Sequence, residues 1–461
     1  MKSLKVVFIT PASDMRRLSV YRLGASFYGR TNSITGPLIL GAILKEHGHD
    51  VKVYEELYQD LKPENIKDAD VIGIYTMSSN ATRAYELADI IRNEYKKRVI
   101  IGGIHASGIP KEAIKHADQV VVGEAEKIIA DVVEGNFREK IIHAQPVANL
   151  DEIPFPDYSL LKTPCKCANV MTSRGCPYSC SFCTTTRMFF PYRQRTPENV
   201  IAELEMYKKM GFKYVNFEDD NFTANKNRAK EILRKMIDNK LIFKETFFFG
   251  RTDLAEDEEL LALLRDAHLN RVLIGIESLN QKSLDYINKK QKIADIEKAG
   301  KMLTKYKIKL IASIILGLRY DTKKDIKNSV EFANKVNAYQ LQPAVLTPYP
   351  GTPLYDQFKK ENRIIIKDWQ YYDMVNVVFR PYNMSPWELQ VEFFNALKNF
   401  YSFKGALRMF KFFGFESGMR RLGLWIAIAF GRLIFKKQSR KDNGNIYHEL
   451  YEASKPNSLI K

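Results

Sequence analysis

Cysteine is scarce, with 5 in 461 residues, which rules out a disulfide scaffold in a chain this long. All five fall between Cys165 and Cys183, and such clustering favours metal or redox use in a reducing compartment. Acidic residues are also in deficit: 54 Asp and Glu stand against 71 Lys and Arg, a formal net charge of +17. An acidic partner is therefore expected, whether nucleic acid, anionic lipid or an acidic redox protein. No apolar run reaches the roughly 18 residues of a membrane span, and no low-complexity tract or short-period repeat is present. Met1 to Lys5 lead straight into the apolar run 6–9, so no signal peptide is expected and the chain reads as cytoplasmic. The balance of 45% hydrophobic and 27% charged residues excludes a disordered or collagen-like chain. The length suits roughly two to four domains.

The first third alternates strand and helix signals. Apolar runs at 6–9, 51–54, 71–75, 99–101 and 119–122 read as buried strands. A helix over 37–44 is closed by Gly48, and another over 81–95 carries Ala84, Leu87, Ala88 and Ile91 on one face. Five strands with intervening helices predict an open parallel sheet covered on both sides, with ligands at the carboxyl ends of its strands. A polar, Pro-containing stretch at 149–157 reads as a linker. Strand candidates resume at 168–172, 214–218, 246–250, 271–276, 309–316 and 339–346. Thr196-Pro197 opens a helix that Gly211 ends. Six βα units in series predict a partial or complete parallel barrel with its chemistry at the strands' carboxyl ends. The expected division is 1–148, a linker 149–165, a barrel 166–353, and a helical, aromatic-rich, basic region 354–461. From Lys404 to Lys441 there are ten Lys or Arg and one acid, Glu416, so this stretch carries +9 of the net charge.

The segment Arg174-Gly175-Cys176-Pro177-Tyr178-Ser179-Cys180-Ser181-Phe182-Cys183 follows the first barrel strand with the spacing C-x3-C-x2-C. Three thiolates on one short loop can hold three corners of an iron–sulfur cube, whereas a fully protein-ligated cluster takes four. One iron then stays open, as a catalytic metal keeps a free position. A structural zinc site is the alternative, with Cys165 or Cys167 as fourth ligand; otherwise those two read as incidental. Buried structural cysteines are disfavoured by the Gly, Pro and Ser between them.

This loop, including Phe182 before the last cysteine, resembles the signature of the radical S-adenosylmethionine (SAM) superfamily. Further segments are similar to that family: Phe217 to Phe222 after the second barrel strand, Arg251 after the third, Gly275-Ile276-Glu277-Ser278 after the fourth, Gly317-Leu318 after the fifth, and Thr347 to Thr352 after the sixth. The resemblance implies a 4Fe-4S cluster on Cys176, Cys180 and Cys183, whose open iron chelates SAM. It also implies one-electron cleavage of SAM to a 5′-deoxyadenosyl radical, with the cofactor carrying the hard chemistry. Phe182, Asp219, Arg251, Glu277, Ser278 and Gly317 are the implied SAM contacts, with Glu277 and Asp219 first. No catalytic residue beyond the cluster ligands is assigned. The family often reads Gly-Leu-Pro-Gly-Glu-Thr after strand five; here the residues are Gly317-Leu318-Arg319-Tyr320-Asp321-Thr322.

The first domain resembles the cobalamin-binding domain often fused to such barrels. The resemblance rests on Pro37-Leu38, Gly73 to Asn80, Gly102-Gly103-Ile104-His105 and Gly123-Glu124-Ala125-Glu126. It implies cobalamin contacts at Thr76, Ser78, Ser79, Gly102, Gly103, Gly123 and Glu124. Paired glycines let backbone approach a bulky ligand, though an ordinary Rossmann-like turn set is the bland alternative. The Asp-x-His-x-x-Gly motif that supplies histidine to cobalt in some cobalamin enzymes is absent, since Glu46-His47-Gly48-His49-Asp50 closes a helix. The segment Ala12 to Gly36, with Tyr21, Phe27 and Tyr28, is expected to cover the cobalt face.

The expected fold is α/β: an amino-terminal Rossmann-like (flavodoxin-like) parallel sheet, a partial (β/α)6 TIM-type barrel, and a mainly helical carboxyl-terminal region. The resemblance is to the class of anaerobic porphyrin cyclases and hopanoid methylases. It implies methyl transfer to an unactivated carbon of a small, apolar or lipid-like substrate, with oxidative cyclisation or rearrangement as alternative. A cobalamin- and cluster-containing sensor or carrier without turnover is the reading from another class. The apolar stretch 422–435 with its basic flanks reads either as a buried helix or as an interfacial one. Each Lys or Arg near an anionic surface is worth about 1 kcal/mol. The basic surface is expected to meet a membrane or an acidic donor such as flavodoxin or ferredoxin. Nucleic acid is not favoured, because no RNA-binding module is recognisable.

Overall fold

The computed structural model describes residues 3–13, 33–163, 165–438 and 446–454. Most of the segment expected to cover the cobalt face, Tyr21, Phe27 and Tyr28 included, lies outside the described residues.

The first sheet is built from β1 (Lys5–Thr10), β2 (Asp50–Glu55), β3 (Val71–Tyr75), β4 (Arg98–Gly102), β5 (Gln119–Val122) and β6 (Ile141–His143), all parallel in the order β2-β1-β3-β4-β5-β6. The order reverses between β1 and β3, which opens a crevice at their carboxyl ends. Strand alternation sorts the two faces. Val7, Ile9, Ile72 and Ile74 pack with Ala84, Ala88 and Ile91 of helix Ala81–Asn93. Val6, Phe8, Val71, Ile100 and Val121 pack with Leu38, Ile39 and Ile43 of helix Thr35–Glu46, in a core continuous with that of the barrel. Each fully buried Val, Leu, Ile or Phe side chain among these contributes about 1.5–3 kcal/mol. The sixth strand was not anticipated, because three residues are too short to register as a periodic run. The stretch read as a linker is also packed: Leu150, Tyr158 and Leu160 are buried, and Leu161 bridges Val53 of β2.

The second sheet holds β7 (Cys167–Val170), β10 (Tyr214–Phe217), β11 (Glu245–Gly250), β12 (Arg271–Glu277), β13 (Lys309–Leu316) and β14 (Gln340–Val345). They run parallel in sequence order, an open arc of six and hence a partial barrel. Helices return each strand to the next. Helix Pro197–Lys209 begins as expected, the Thr196 hydroxyl accepting from the Asn199 N–H with Pro197 at the first position. A small hairpin of β8 (Ser173–Arg174) and β9 (Arg193–Gln194) is an addition that sequence reasoning missed. The carboxyl-terminal region is helical, with Pro353–Lys360, Pro386–Phe400, Phe403–Gln438 and Ile446–Glu452. It is tied back to the first sheet, where Trp369 Nε1 donates to Glu112 Oε1 (2.6 Å) and Thr82 to Asp368 (2.7 Å). Among the described residues no helix is long and apolar enough to cross a membrane.

Candidate functional site

The cysteine loop lies between β8 and β9, so its two ends are pinned to each other by the pairs Ser173–Gln194 and Arg174–Arg193. Gly175 starts it at φ +80°, where an added Cβ would sit 2.4 Å from the Phe189 carbonyl. The loop rests on residues 287–290. Ser181 N–H donates to the Ile287 carbonyl (3.1 Å), and Asn288 Nδ2 donates to the Ser179 carbonyl (3.0 Å). Arg251 stacks on the Tyr178 ring at 3.8 Å and donates to the carbonyls of Lys289 (2.5 Å) and Lys290 (3.1 Å). Cys176, Cys180 and Cys183 are all half-buried free thiols. Burial pushes the Cys176 thiol up to about 11, and it raises Cys180 against the opposing charges of Lys289 and Arg251. Metal binding here would therefore release protons. Three sulfur donors on one pinned loop fit a cube with an open corner. Cys165 and Cys167 sit at the other end of β7, several residues away at about 3.3 Å each. No three His, Cys, Asp or Glu among the described residues converge on a single ion.

The implied SAM contacts are differently placed. Asp219 is fully buried and its carboxylate is already occupied, accepting from Thr172 N (2.5 Å), Thr172 Oγ1 (2.5 Å), Ser173 N (3.1 Å) and Ser173 Oγ (2.9 Å). It fixes the chain leading into the cysteine loop through Thr172 and Ser173. Its neighbour Asp220 is less completely buried, yet burial still raises its carboxyl to about 7, against hydrogen bonds from Thr185 and the Gly175 backbone. Ser278 turns away to Asp321 (2.9 Å), which also holds Ser283 (2.5 Å), and burial pushes Asp321 up to about 6. The departure after strand five therefore places a structural carboxylate there. Glu277, at φ +61° beyond a bulge in β12, pairs with Lys289 (2.5 Å), a residue that sequence reasoning passed over. Gly317 sits at φ +92°, a backbone conformation that favours glycine, with the Leu389 side chain close by. Phe182 is half-buried against the core.

On the first sheet, the carboxyl ends of β1, β3, β4 and β5 border a largely apolar cavity of about 260 Å³. Phe8, Tyr75, Gly102, Gly103 and Gly123 line it from that side; Met171, Met188, Phe189 and Glu218 line it from the barrel side. Gly103 (φ +100°) and Gly123 (φ +91°) are obligatory glycines, since a Cβ would stand 2.5 Å from the Thr76 carbonyl and 2.9 Å from that of Ala144. Thr76 is buried in the turn itself, donating to the Gly102 carbonyl (2.7 Å) and accepting from Ala106 N–H (3.1 Å). Ser78 pairs with the buried His105 ring (3.0 Å), and Ser79 is half-buried. Glu124 is almost fully buried. Its carboxylate accepts from Arg174 (2.9 Å), Arg193 (3.0 Å) and Val147 N–H (3.1 Å), so it joins the first sheet to both ends of the cysteine loop.

Glu218 is enclosed by protein yet has surface on the cavity, with Thr35 Oγ1 donating to it (3.0 Å). Burial raises its carboxyl from 4.5 to about 7. Its contribution to stability is thus full below the ordinary glutamate range and is lost as pH rises through about 7. Glu218→Gln is expected to stabilise the cofactor-free protein by on the order of 2 kcal/mol at pH 8 and hardly at all at pH 4. Denaturant midpoints that differ equally at both pH values would refute this.

Residues 25–133 match the B12 binding domain and residues 170–333 the radical SAM superfamily. The chain is 29% identical to the bacteriochlorophyllide d C-8(2)-methyltransferase of Chlorobaculum tepidum, over 82% of this chain and 86% of that one. It is 27% identical to the anaerobic magnesium-protoporphyrin IX monomethyl ester cyclase of Cereibacter sphaeroides, over 70% and 57%. Its fold is that of the radical SAM methyltransferase TsrM from Kitasatospora setae, solved with cobalamin and a 4Fe-4S cluster, at a TM-score of 0.64 and 15% identity over 78% of this chain and 75% of that one. The chain is a radical SAM enzyme with a B12-binding domain ahead of its barrel.

Proposed function

We propose that this enzyme transfers a methyl group to an unactivated carbon of a small, apolar or lipid-like molecule. The observation that carries the reading is the cavity shared by the carboxyl ends of both sheets, which puts a B12-binding edge and the approach to the cysteine loop on one apolar space. In this reading residues 1–148 hold cobalamin, residues 166–353 hold the cluster through Cys176, Cys180 and Cys183, and SAM takes the open corner near Phe182, Arg251, Asp220 and Glu277. When bound, these cofactors supply a 5′-deoxyadenosyl radical and a transferable methyl group. The chain's own part is to shape and dry the space. Gly102, Gly103 and Gly123 keep the sheet edge low enough for a flat macrocycle, while Met171, Met188 and Phe189 exclude water. An acidic flavodoxin or ferredoxin would meet the basic surface as electron donor, and the region from Lys404 to Lys441 would make peripheral contact with a membrane.

The likeness to the cyclase favours oxidative cyclisation as a second reading. Reconstituted enzyme given deuteromethyl-SAM and a lipid extract separates the two. Methylation yields labelled product, with S-adenosylhomocysteine and 5′-deoxyadenosine in equal amounts; cyclisation yields 5′-deoxyadenosine without the homocysteine. The cradle is tested by Gly103→Val, which should abolish corrinoid absorbance in protein isolated with hydroxocobalamin supplied. Wild-type retention would reject the assignment.

A further inference from the structure

Helix Phe403–Gln438 is two arms joined at Gly414, whose backbone is non-helical at φ +82° and ψ −178°. The arms fold back on each other. Gly418 approaches the Phe410 ring so closely that a Cβ would overlap it at 2.3 Å, and Phe403, eleven residues before the bend, meets Trp425, eleven after it, at 6.1 Å between ring centroids. One side of this hairpin is fastened to the barrel. Ala406, Met409 and Ser417 are buried, Arg408 donates to Asn334 (2.8 Å), and Arg421 donates to the carbonyls of Tyr339 and Phe400 (both 2.8 Å) over the Phe400 ring.

The other side is apolar and bare. Phe403, Leu407, Phe412, Met419 and Trp425 are exposed, and Phe415, next to the bend, is 76% exposed. Phe415, Met419 and Ile426 recur at helical spacing, so they form one stripe. Lys404 and Lys411 are exposed beside it, and Glu416 is the one acid between Lys404 and Lys441 in the sequence. Contiguous exposed apolar surface rimmed by charge marks an interaction site.

We infer that this hairpin docks the enzyme on an anionic lipid bilayer, with the Phe412–Phe415 bend as the part that enters the headgroup region. The shape selects lipid over a protein. An acidic protein would answer the charge, but a convex aromatic tip needs a concave apolar pocket on a protein, whereas a fluid interface closes around it. Trp425 and the lysines suit the headgroup boundary, and the hairpin lies on the membrane without crossing it. The inference extends the reading of a lipid-like substrate and rests on it for purpose, while its geometry is independent of the site.

The test uses the full chain with phosphatidylcholine vesicles, with and without phosphatidylglycerol. Wild-type protein should float with the anionic vesicles and much less with the neutral ones, and brominated lipid should quench fluorescence that Trp425→Phe removes. Phe415→Asp, and separately Lys404→Glu with Lys411→Glu, should each weaken flotation about tenfold. SAM cleavage in solution should be unchanged in both, so a failed membrane claim and a failed site assignment give different results. Equal flotation of wild type and variants overturns the inference. So does absence of flotation, loss of flavodoxin-driven reduction in Phe415→Asp, or concentration-dependent self-association that this variant abolishes.

Discussion

Replacing Cys180 with alanine is expected to take SAM cleavage to the level seen without protein. Anaerobically reconstituted wild-type protein should carry about four irons per chain; the variant should carry close to none. The expectation follows from the loop. Three sulfurs are presented from a segment held at both ends by the β8–β9 hairpin and seated on residues 287–290 by Ser181, Asn288 and Arg251. Losing one donor leaves two, and no fourth cysteine lies at that end of the barrel, since Cys165 and Cys167 flank the start of β7. Iron quantitation and 5′-deoxyadenosine assay on the same preparation check it. A variant that makes deoxyadenosine at the normal rate would remove Cys180 from the site.

The second large effect concerns the join between the domains. Glu124 is almost fully buried, and so are its partners Arg174 and Arg193; Arg174 also pairs with Glu126 (2.5 Å). Burial works against the charge on Glu124, yet Arg193 and Arg174 hold its carboxyl below the usual range. The latch is therefore intact at neutral pH and fails only as pH falls below the ordinary carboxylate range. Glu124→Ala strands Arg193 and half-strands Arg174, and removing one member of a buried ion pair costs about 3–5 kcal/mol. Since Arg174 and Arg193 bracket the cysteines, the reconstituted cluster should also lose iron to a chelator faster. Glu124→Asp should restore part of both losses. Denaturant midpoints and chelator-release rates unchanged in Glu124→Ala would show that the network carries no load.

Much of the architecture was legible because it is local. Buried parallel strands are continuous apolar runs, and their turns carry the glycines and caps that stop them; five of the six strands in the first sheet and all six of the second announced themselves this way. The cysteine loop was equally plain, since three donors at short fixed spacing need no knowledge of the rest of the chain. Side-chain direction at the strand ends was not legible. Glu218, Asp219 and Asp220 are adjacent carboxylates just past the end of β10 at Phe217, where strand alternation no longer applies, so which of them meets the cavity depends on the packing around that loop. Sequence pointed to Asp219, whose carboxylate holds Thr172 and Ser173, and gave no sign that Glu218 borders the cavity.

The amino-acid sequence by itself determined the order of elements, the sulfur spacing of the cysteine loop and the glycine turns at the first sheet's edge, because each depends on residues a few positions apart. Only the tertiary structure decided that Glu124 is a latch, that Lys289 answers Glu277, and that the bend at Gly414 leaves Phe415 bare. Those contacts join positions many residues apart, or depend on what covers a face, and chain spacing encodes neither.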